Sequence, residues 1–214
     1  GISAKVATPP PGATRDPTQT LSVRDALDFS ALLRRRRFKW NDRFGGNAVA
    51  LEATGTSYDI VLNAETQLTL LGPTPQKLKL LFPTWKKELI RKQRPPTLAR
   101  RSTKPTLENL RNLAASSDPP DPSKANGASI AFILEYANKR ALFAGDAHAD
   151  DLLAALRTDR ARAPSFRFDA IKVSHHGSRG NNTSSLIGTL ISPLWLISTD
   201  GTRHHHPDPE CLAR

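Results

Sequence analysis

Histidine and carboxylate residues follow the ends of three apolar segments. Asp146 comes directly after KRALFAG, and His175 and His176 come directly after FDAIKVS. Three further histidines, His204 to His206, follow PLWLISTDGTR. Imidazole and carboxylate groups are common ligands of zinc and similar divalent metals. A cysteine cluster is excluded because Cys211 is the one cysteine of the chain. The spacing therefore predicts a metal site where three strands end.

The adjacent histidines His175 and His176 are predicted to stand at the end of a strand. Neighbouring side chains on a strand point to opposite faces, so we expect one of the two to be a direct ligand. Gly177 is expected to remove bulk where a substrate approaches, and Ser178 to offer a hydroxyl donor. The sequence does not distinguish which of the two histidines coordinates.

Each candidate also has a simpler structural interpretation. Asp146 alone fits the N-cap of a following helix, and His148 fits an exposed helix histidine. Of the three histidines 204–206, one is expected to be a ligand and two to lie on the surface. His206 is selected because Pro207 restricts the position next to it.

The elements that position these residues form a mixed pattern. Apolar spacing predicts helices from Ser22, over Gln76 to Arg91 and over Leu107 to Ala115, with three strand-like segments between the first two. From Ala128 onward, strands alternate with helices, which is typical of α/β layering. The near-continuous apolar run ASIAFILEY predicts a strand covered on both faces. The predicted strands are 48–53, 58–62, 68–71, 128–136, 140–144, 170–174 and 194–198, and the later helices are 150–156 and 183–191.

The chain is strongly basic, with a formal net charge of +11 and a pI near 10.3. Cations concentrate in residues 34–39 and in residues 77–104, where Glu88 is the one acid. Such patches attract polyanions such as nucleic acid, although a solvated helix face and an exposed loop explain them equally well. No apolar run is long enough to cross a membrane. The single cysteine fits a reducing compartment, so we expect a cytoplasmic protein.

Four segments together resemble a known family. They are NGASI (Asn126–Ile130), FAGDA (Phe143–Ala147), DAIKVSHHGSRGN (Asp169–Asn181) and the span from ISTDG to HPDPE (Ile197–Glu210). They resemble the metallo-β-lactamase fold, and most closely the bacterial branch that holds the metallohydrolase domain of the DNA-uptake protein ComEC and its stand-alone relatives. The HHGS element after a GD strand is the most specific part.

The resemblance implies an α/β fold, an αββα four-layer sandwich with a metal site at one edge of two sheets. It also implies two divalent metal ions, zinc or manganese, and a metal-bound hydroxide as nucleophile. By resemblance, the metal ligands are Asp146, His175, His176 and His206, and the catalytic residues are Asp146 and His176. Lys172, Ser178 and Asn126 are candidates for supporting or substrate contacts.

One departure concerns the signature H-x-H-x-D-H of this fold, which is absent from all 214 residues. We therefore expect residues 1–214 to form a single incomplete domain, the C-terminal portion of a longer protein that binds metal weakly and is inactive alone. Within it, residues 1–20 are expected to be a loop or linker, 93–125 a basic, proline-rich insertion and 126–210 the ligand-bearing half.

Three functions remain open at this point. The first is a metal-dependent hydrolase or nuclease acting on phosphodiesters. The second is a non-catalytic module that binds nucleic acid or another partner. The third is a hydrolase of a small ester, lactam or thioester. The chain has no G-x-S-x-G elbow, P-loop or G-x-G-x-x-G motif, which disfavours serine hydrolases and nucleotide-binding enzymes.

Overall fold

The computed structural model describes residues 23–52, 58–90, 109–117, 119–159, 166–201 and 205–214. The chain divides into two compact units, one made of residues 1–48 and 85–93 and the other of residues 49–84 and 94–214. Several sequence predictions lie outside the described residues: the loop at 1–20, the helix start at Ser22, residues 93–108 of the basic insertion 93–125, and His204.

The first unit contains helix α1, Val23–Arg35. Asp25 in its first turn and Arg34 and Arg35 in its last turn complement the helix dipole. After the helix, Arg37 adopts a φ of 56° and the chain turns. The guanidinium of Arg34 lies 5.1 Å from the centre of the Trp40 ring. The predicted helix is therefore confirmed for the residues that are described.

The second unit is built on a mixed sheet of six strands in the described residues. The strands lie in chain order. The first four pair antiparallel, whereas β4–β5 and β5–β6 pair parallel. Residues 137 and 138 form the turn of the β3–β4 hairpin, with φ values of 46° and 63° as a type I′ turn requires. The strands are β1 Tyr58–Asn63, β2 Thr66–Gly72, β3 Ala131–Tyr136, β4 Lys139–Phe143, β5 Ala170–Lys172 and β6 Trp195–Leu196.

Helices supply the parallel crossovers of this sheet. Helix α5 connects β4 to β5, and α6 connects β5 to β6. The Thr183 side chain accepts a hydrogen bond from the backbone N–H of Leu186 and so caps α6. The helices that follow α1 are α2 Pro75–Ile90, α3 Leu110–Ala115, α4 Lys124–Gly127, α5 Ala149–Asp159, α6 Ser184–Thr189 and α7 Pro209–Ala213.

The core lies between the sheet and helices α5 and α6. Ile133, Leu142 and Ile171 are register partners in adjacent strands and are all buried. Leu152 and Leu156 of α5 pack in the same cluster, as does Leu186 of α6. Removing these side chains from water is the main contribution that holds the strand ends in place.

The opposite face of the sheet is also apolar but is less deeply buried. Phe132 and Phe143 are register partners there, and their rings stack with centroids 5.0 Å apart. Both are half-buried, as is Leu134. The predicted cover of 128–136 is therefore confirmed on the Ile133 face, where α5 and α6 pack, whereas the Phe132 face is half-buried in the described residues.

The prediction of a mixed α/β fold is confirmed at the level of a six-stranded mixed sheet with helices. One predicted strand is wrong: residues 48–52 form no strand, although Leu51 is buried and its N–H donates to the carbonyl of Pro73. Within the described residues, no helix is long and apolar enough to traverse a bilayer.

Candidate metal centre

The ends of β4, β5 and β6 meet at one edge of the sheet. The turn after β4 carries Asp146, and the backbone N–H of His175 donates to the carbonyl of Gly145 over 2.9 Å. The N–H of Val173 donates to the carbonyl of Leu196 over 3.1 Å. Parallel strands end on the same edge of a sheet, so the three segments that the sequence singled out come together.

The two adjacent histidines do not continue the strand. β5 ends at Lys172, and His175 and His176 lie in a short turn with φ values of 41° and 56°. The expectation that they point to opposite faces of a strand is therefore wrong, because a left-handed backbone does not alternate its side chains. Non-glycine residues in this region are strained and concentrate at functional sites.

Three imidazole rings gather at this edge. The ring of His175 lies 6.0 Å from that of His176 and 5.3 Å from that of His206, measured between centroids. The structure thus brings together the three histidines that the family resemblance implied as ligands.

The tautomer of His176 follows from its neighbour. Its Nδ1 is hydrogen-bonded to the backbone carbonyl of Ser198. A carbonyl oxygen can only accept, so Nδ1 carries the proton and Nε2 of the neutral ring keeps its lone pair. Histidines that bind metals in proteins are oriented in this way by a backbone carbonyl or carboxylate.

Asp146 and Lys172 form the charged part of the site. Burial lowers the pKa of Lys172, and the negative charge of Asp146 partly opposes this effect. The Lys172 ammonium donates to the carbonyl of Val173 over 2.9 Å. Helix α5 begins at Ala149, so Asp146 is not its N-cap residue. In such a pair the carboxylate can bind a metal ion and the cation can bind a phosphate oxygen.

Sequence analysis missed Asp121, which lies at the centre of a hydrogen-bond network. Its Oδ2 accepts from the side-chain amide of Asn126 over 2.7 Å and from that of Asn181 over 2.9 Å. Burial raises the pKa of Asp121, but bonds from Asn126, the Ser123 N–H and Asn181, with the charge of His175, outweigh it and hold that pKa below its ordinary value. The signal in the sequence is local: Asp121 stands two residues before Ser123, the spacing of an Asx turn, and its side chain accepts from the Ser123 N–H.

Gly177 has a packing role, and its predicted role in substrate approach stays a prediction. It is buried at a φ of 85°, and a Cβ there would lie 2.6 Å from Cβ of Pro207. The N–H of Asp208 donates to its carbonyl over 3.0 Å. Glycine therefore lets the histidine turn pack directly on the His206–Pro207 segment, whose peptide bond is cis.

The residues of the PDPE segment hold this contact in place. Asp208 accepts from the N–H of Arg179 over 2.8 Å, and the Arg179 side chain donates to Glu210 over 2.9 Å. Burial raises the pKa of Asp208, but bonds from His206 and the Arg179 N–H outweigh it and lower the value. Nδ1 of His206 lies 3.4 Å from Oδ1 of Asp208.

Ser178 and Asn126, two predicted substrate contacts, both lie beside His175. The N–H of Ser178 donates to the carbonyl of His175 over 2.9 Å, and the Ser178 carbonyl accepts from the Asn182 side chain over 2.8 Å. Nδ2 of Asn126 lies 3.2 Å from Nδ1 of His175. Their proximity is consistent with a role at the site, and their backbone and amide bonds also stabilise its loops.

His148 is not the exposed helix histidine that its position suggested. Its Nε2 lies 2.9 Å from the carbonyl of Ser123, and its Nδ1 lies 3.2 Å from Nζ of Lys77. The ring packs over Gly127, where a Cβ would lie 2.7 Å from Cε1. Lys77 also pairs with Asp151 over 2.7 Å, so this lysine does not belong to a solvent-facing basic patch.

The donor chemistry of this edge fits part of a divalent-metal site. Imidazole nitrogens and a carboxylate are present on one edge, and His176 has a lone pair available on Nε2. Within the described ranges, however, no three His, Cys, Asp or Glu side chains stand close enough to form a ready ligand group. The residues present thus match the ligand types of such a site without completing one.

Comparison with known proteins gives one relative. The chain is similar to ComE operon protein 3 of Bacillus subtilis (strain 168). The two are 26% identical over 107 residues, which is 50% of this chain and 13% of the relative. The chain therefore spans a small part of that protein's length. No family model matches, and no solved structure matches.

Proposed function

We propose that this chain supplies the His- and Asp-bearing half of a metal-dependent hydrolase with the metallo-β-lactamase fold. The observation that carries the proposal is the position of the His175 ring beside the Asp146 turn, 6.0 Å from the His176 ring and 5.3 Å from the His206 ring between centroids. Packing alone gives no reason for three imidazoles at the ends of neighbouring strands. The similarity to ComE operon protein 3 supports the same branch.

The proposed architecture is the four-layer αββα sandwich. One side of the sheet is covered by α5 and α6. The half-buried apolar row on the other side, including Phe132 and Phe143, has the composition of a surface that packs on a second sheet. This row supports the proposal of a second sheet layer.

The proposed substrate is a phosphodiester, with nucleic acid as the preferred class. Support comes from the net charge of +11 and from the exposed cluster Arg35, Arg36, Arg37 and Lys39. Lys172 provides a cation at the site itself. The single buried cysteine fits our further proposal that the protein works in the cytoplasm.

In the proposed reaction, the residues of this edge have separate tasks. His176 presents Nε2 because Ser198 holds the proton on Nδ1. Asp146 provides the carboxylate, and Lys172 neutralises charge on the phosphodiester. Two divalent ions, zinc or manganese, would supply an activated water and polarise the phosphorus–oxygen bond. The expected holders are Asp146, His175, His176 and His206, while Ser178 and Asn126 contact the substrate.

The first experiment measures metal binding by elemental analysis and zinc titration. It uses the 214-residue chain and, where the natural gene encodes residues before Gly1, the longer product. We expect His176→Gln to reduce zinc affinity about 10-fold or more, whereas His205→Gln, the matched neighbouring histidine, should change it little. Equal affinity in the two variants would contradict the ligand assignment.

The second experiment measures cleavage of DNA, RNA and a bis-aryl phosphodiester with zinc or manganese. Metal-dependent cleavage that Asp146→Asn abolishes is the expected result for the complete protein. No cleavage of any of the three would reject the phosphodiesterase proposal. Turnover confined to an ester, lactam or thioester would instead favour the small-molecule hydrolase.

A second candidate function is a non-catalytic module that binds nucleic acid. It is favoured by the lack, within the described residues, of a ready group of metal ligands. The module predicts salt-sensitive binding of DNA that is unchanged in Asp146→Ala and needs no metal. A loss of binding in that variant would speak against it.

A further inference from the structure

We propose that Asp121 is a positioning residue that sets the tautomer and ring orientation of His175, both directly and through Asn181. This inference rests on the proposed role of His175 as a ligand. Asp121 is 60 residues from Asn181 in sequence, yet the two side chains are 2.9 Å apart. No sequence motif connects them.

The first step concerns the amide of Asn181, which is fully buried. Its Nδ2 lies near three acceptors: Oδ2 of Asp121 at 2.9 Å, the carbonyl of Asp146 at 3.2 Å and the carbonyl of Ala147 at 3.3 Å. If the amide were flipped, its oxygen would face those three acceptors, and none of them could donate a hydrogen bond to it. Asp121 and the two carbonyls therefore hold Oδ1 of Asn181 towards His175.

The second step concerns Nδ1 of His175. Oδ1 of Asn181 lies 3.0 Å from it and Oδ2 of Asp121 lies 3.5 Å from it, and both are acceptors. The opposing donor is Nδ2 of Asn126 at 3.2 Å, whose other hydrogen goes to Asp121. Nδ1 holds either a proton or a lone pair in the ring plane. Two acceptors, one of them a carboxylate, favour the proton, so Nε2 keeps its lone pair.

The third step explains why position 121 needs a carboxylate. Oδ1 of Asp121 accepts from the N–H of Ser123 over 2.8 Å, while Oδ2 accepts from the amides of Asn126 and Asn181. Both oxygens must therefore accept. An asparagine at 121 has one acceptor and one donor, so it would oppose either Ser123 or the two amides. The expected consequence is an Asn181 amide that no longer has one orientation.

The test is a measurement of imidazole tautomers in the ¹⁵N-labelled 214-residue chain without metal. Long-range ¹H–¹⁵N correlation spectra are recorded at about pH 8.5, where an ordinary imidazole is neutral. The His175→Gln spectrum assigns the signals. We expect a protonated Nδ1 in the wild-type ring. Asp121→Asn should reduce the ratio of the Nδ1–H to the Nε2–H form about two- to tenfold, the effect of one hydrogen bond.

Asp150→Asn is the matched control, because Asp150 is exposed in the first turn of α5 and lies outside the network. It should leave the His175 ratio unchanged. A wild-type ring with mainly Nε2–H, or an unchanged ratio in folded Asp121→Asn, would overturn the inference. If Asp121→Asn does not fold, Asp121→Ser, which has no carboxylate, gives the same comparison. Metal and substrate are not used, so failure of the proposed hydrolase would leave this result unaffected.

Discussion

At the scale of single residues, the two glycines next to the candidate site differ from ordinary turn glycines. Gly177 and Gly145 combine a positive φ with a close neighbour. A Cβ on Gly177 would lie 2.6 Å from Cβ of Pro207, and a Cβ on Gly145 would lie 2.6 Å from the carbonyl oxygen of Ile130. A larger residue at either position would separate segments that carry candidate ligands. The glycines therefore help set the distances among the site residues.

Gly177→Ala is expected to destabilise the protein by about 1–3 kcal/mol, because the new Cβ overlaps Pro207 and the backbone is strained for alanine. The free energy of unfolding in urea measures it. Gly188→Ala is the control, since α6 places Gly188 in open space with a helical backbone. It should stabilise by about 0.5–1 kcal/mol. Equal effects in the two variants would contradict this packing role for Gly177.

Cys211 gives a second prediction at this scale. Burial raises the pKa of its thiol to about 11. At pH 8 the thiolate fraction in the folded chain should be more than about a hundredfold smaller than in the unfolded chain. A thiol-specific reagent should therefore label the native protein much more slowly than the urea-unfolded protein. Similar rates would show that the α7 segment opens readily.

The same pKa has a consequence for stability. Folding favours the neutral thiol, so the neutral thiol stabilises the folded protein. This stabilisation is complete below the unfolded pKa of about 8.5 and declines as the pH rises towards 11. Cys211→Ser should reduce the part of the alkaline stability loss that falls in this window. Urea unfolding at pH 8 and pH 10 gives the comparison, and an identical pH difference in both proteins would contradict the prediction.

At the scale of elements, α5 has the largest share in positioning the site. It connects β4, which leads to Asp146, with β5, which leads to the histidines. Its apolar side packs on the sheet through Leu152 and Leu156. The ladder between β4 and β5 sets the separation of the two strand ends, and α5 packs against it. A loss of this packing should affect stability before it affects the chemistry of any one ligand.

Leu156→Ala is expected to cost about 2–5 kcal/mol, because Leu156 is 2% exposed and its removal leaves a cavity under the sheet. Leu80→Ala in α2 is the control, since that side chain is 53% exposed. The control should change the unfolding free energy by about 0.5 kcal/mol or less. A small effect at Leu156 would contradict the described core.

At the scale of the whole molecule, charge is the dominant feature. The net charge of +11 attracts polyanions at long range and makes their binding dependent on salt. Arg35 at the end of α1 is exposed, as are Arg36 and Arg37 after it. Lys77, by contrast, is held by Asp151. Lys77 therefore adds little free positive charge to the predicted patch at 77–104, and residues 91–104, half of that patch, lie outside the described residues.

The triple variant Arg35→Gln, Arg36→Gln, Arg37→Gln should weaken DNA binding and reduce the slope of log K against log salt by about 2–3, if each arginine contacts one phosphate. Fluorescence anisotropy at several salt concentrations measures the slope. The control replaces the exposed cations Lys139, Arg157 and Arg167 by Gln and removes the same charge. An equal decrease in both variants would indicate non-specific attraction by net charge alone.

Sequence determined the local features of this protein. Hydrophobic patterns fixed the order of most strands and helices, and residue types identified Asp146, His175, His176 and His206 as candidate ligands. These inferences succeed because propensity and periodicity depend on near neighbours. They failed at residues 48–52 and at the histidine pair, where packing and a left-handed backbone decide the conformation.

Only the tertiary structure decided which distant residues meet. Asp121 joins Asn181 across 60 residues, and Asn126 joins His175 across 49. Gly177 must be glycine because Pro207, 30 positions later, packs on it. Such contacts depend on how the strands and loops pack together, and on which side chains then face Nδ1 of His175. Contacts between distant residues have no periodic or compositional signal in the chain. The sequence therefore showed the candidate ligands but not the network that orients them.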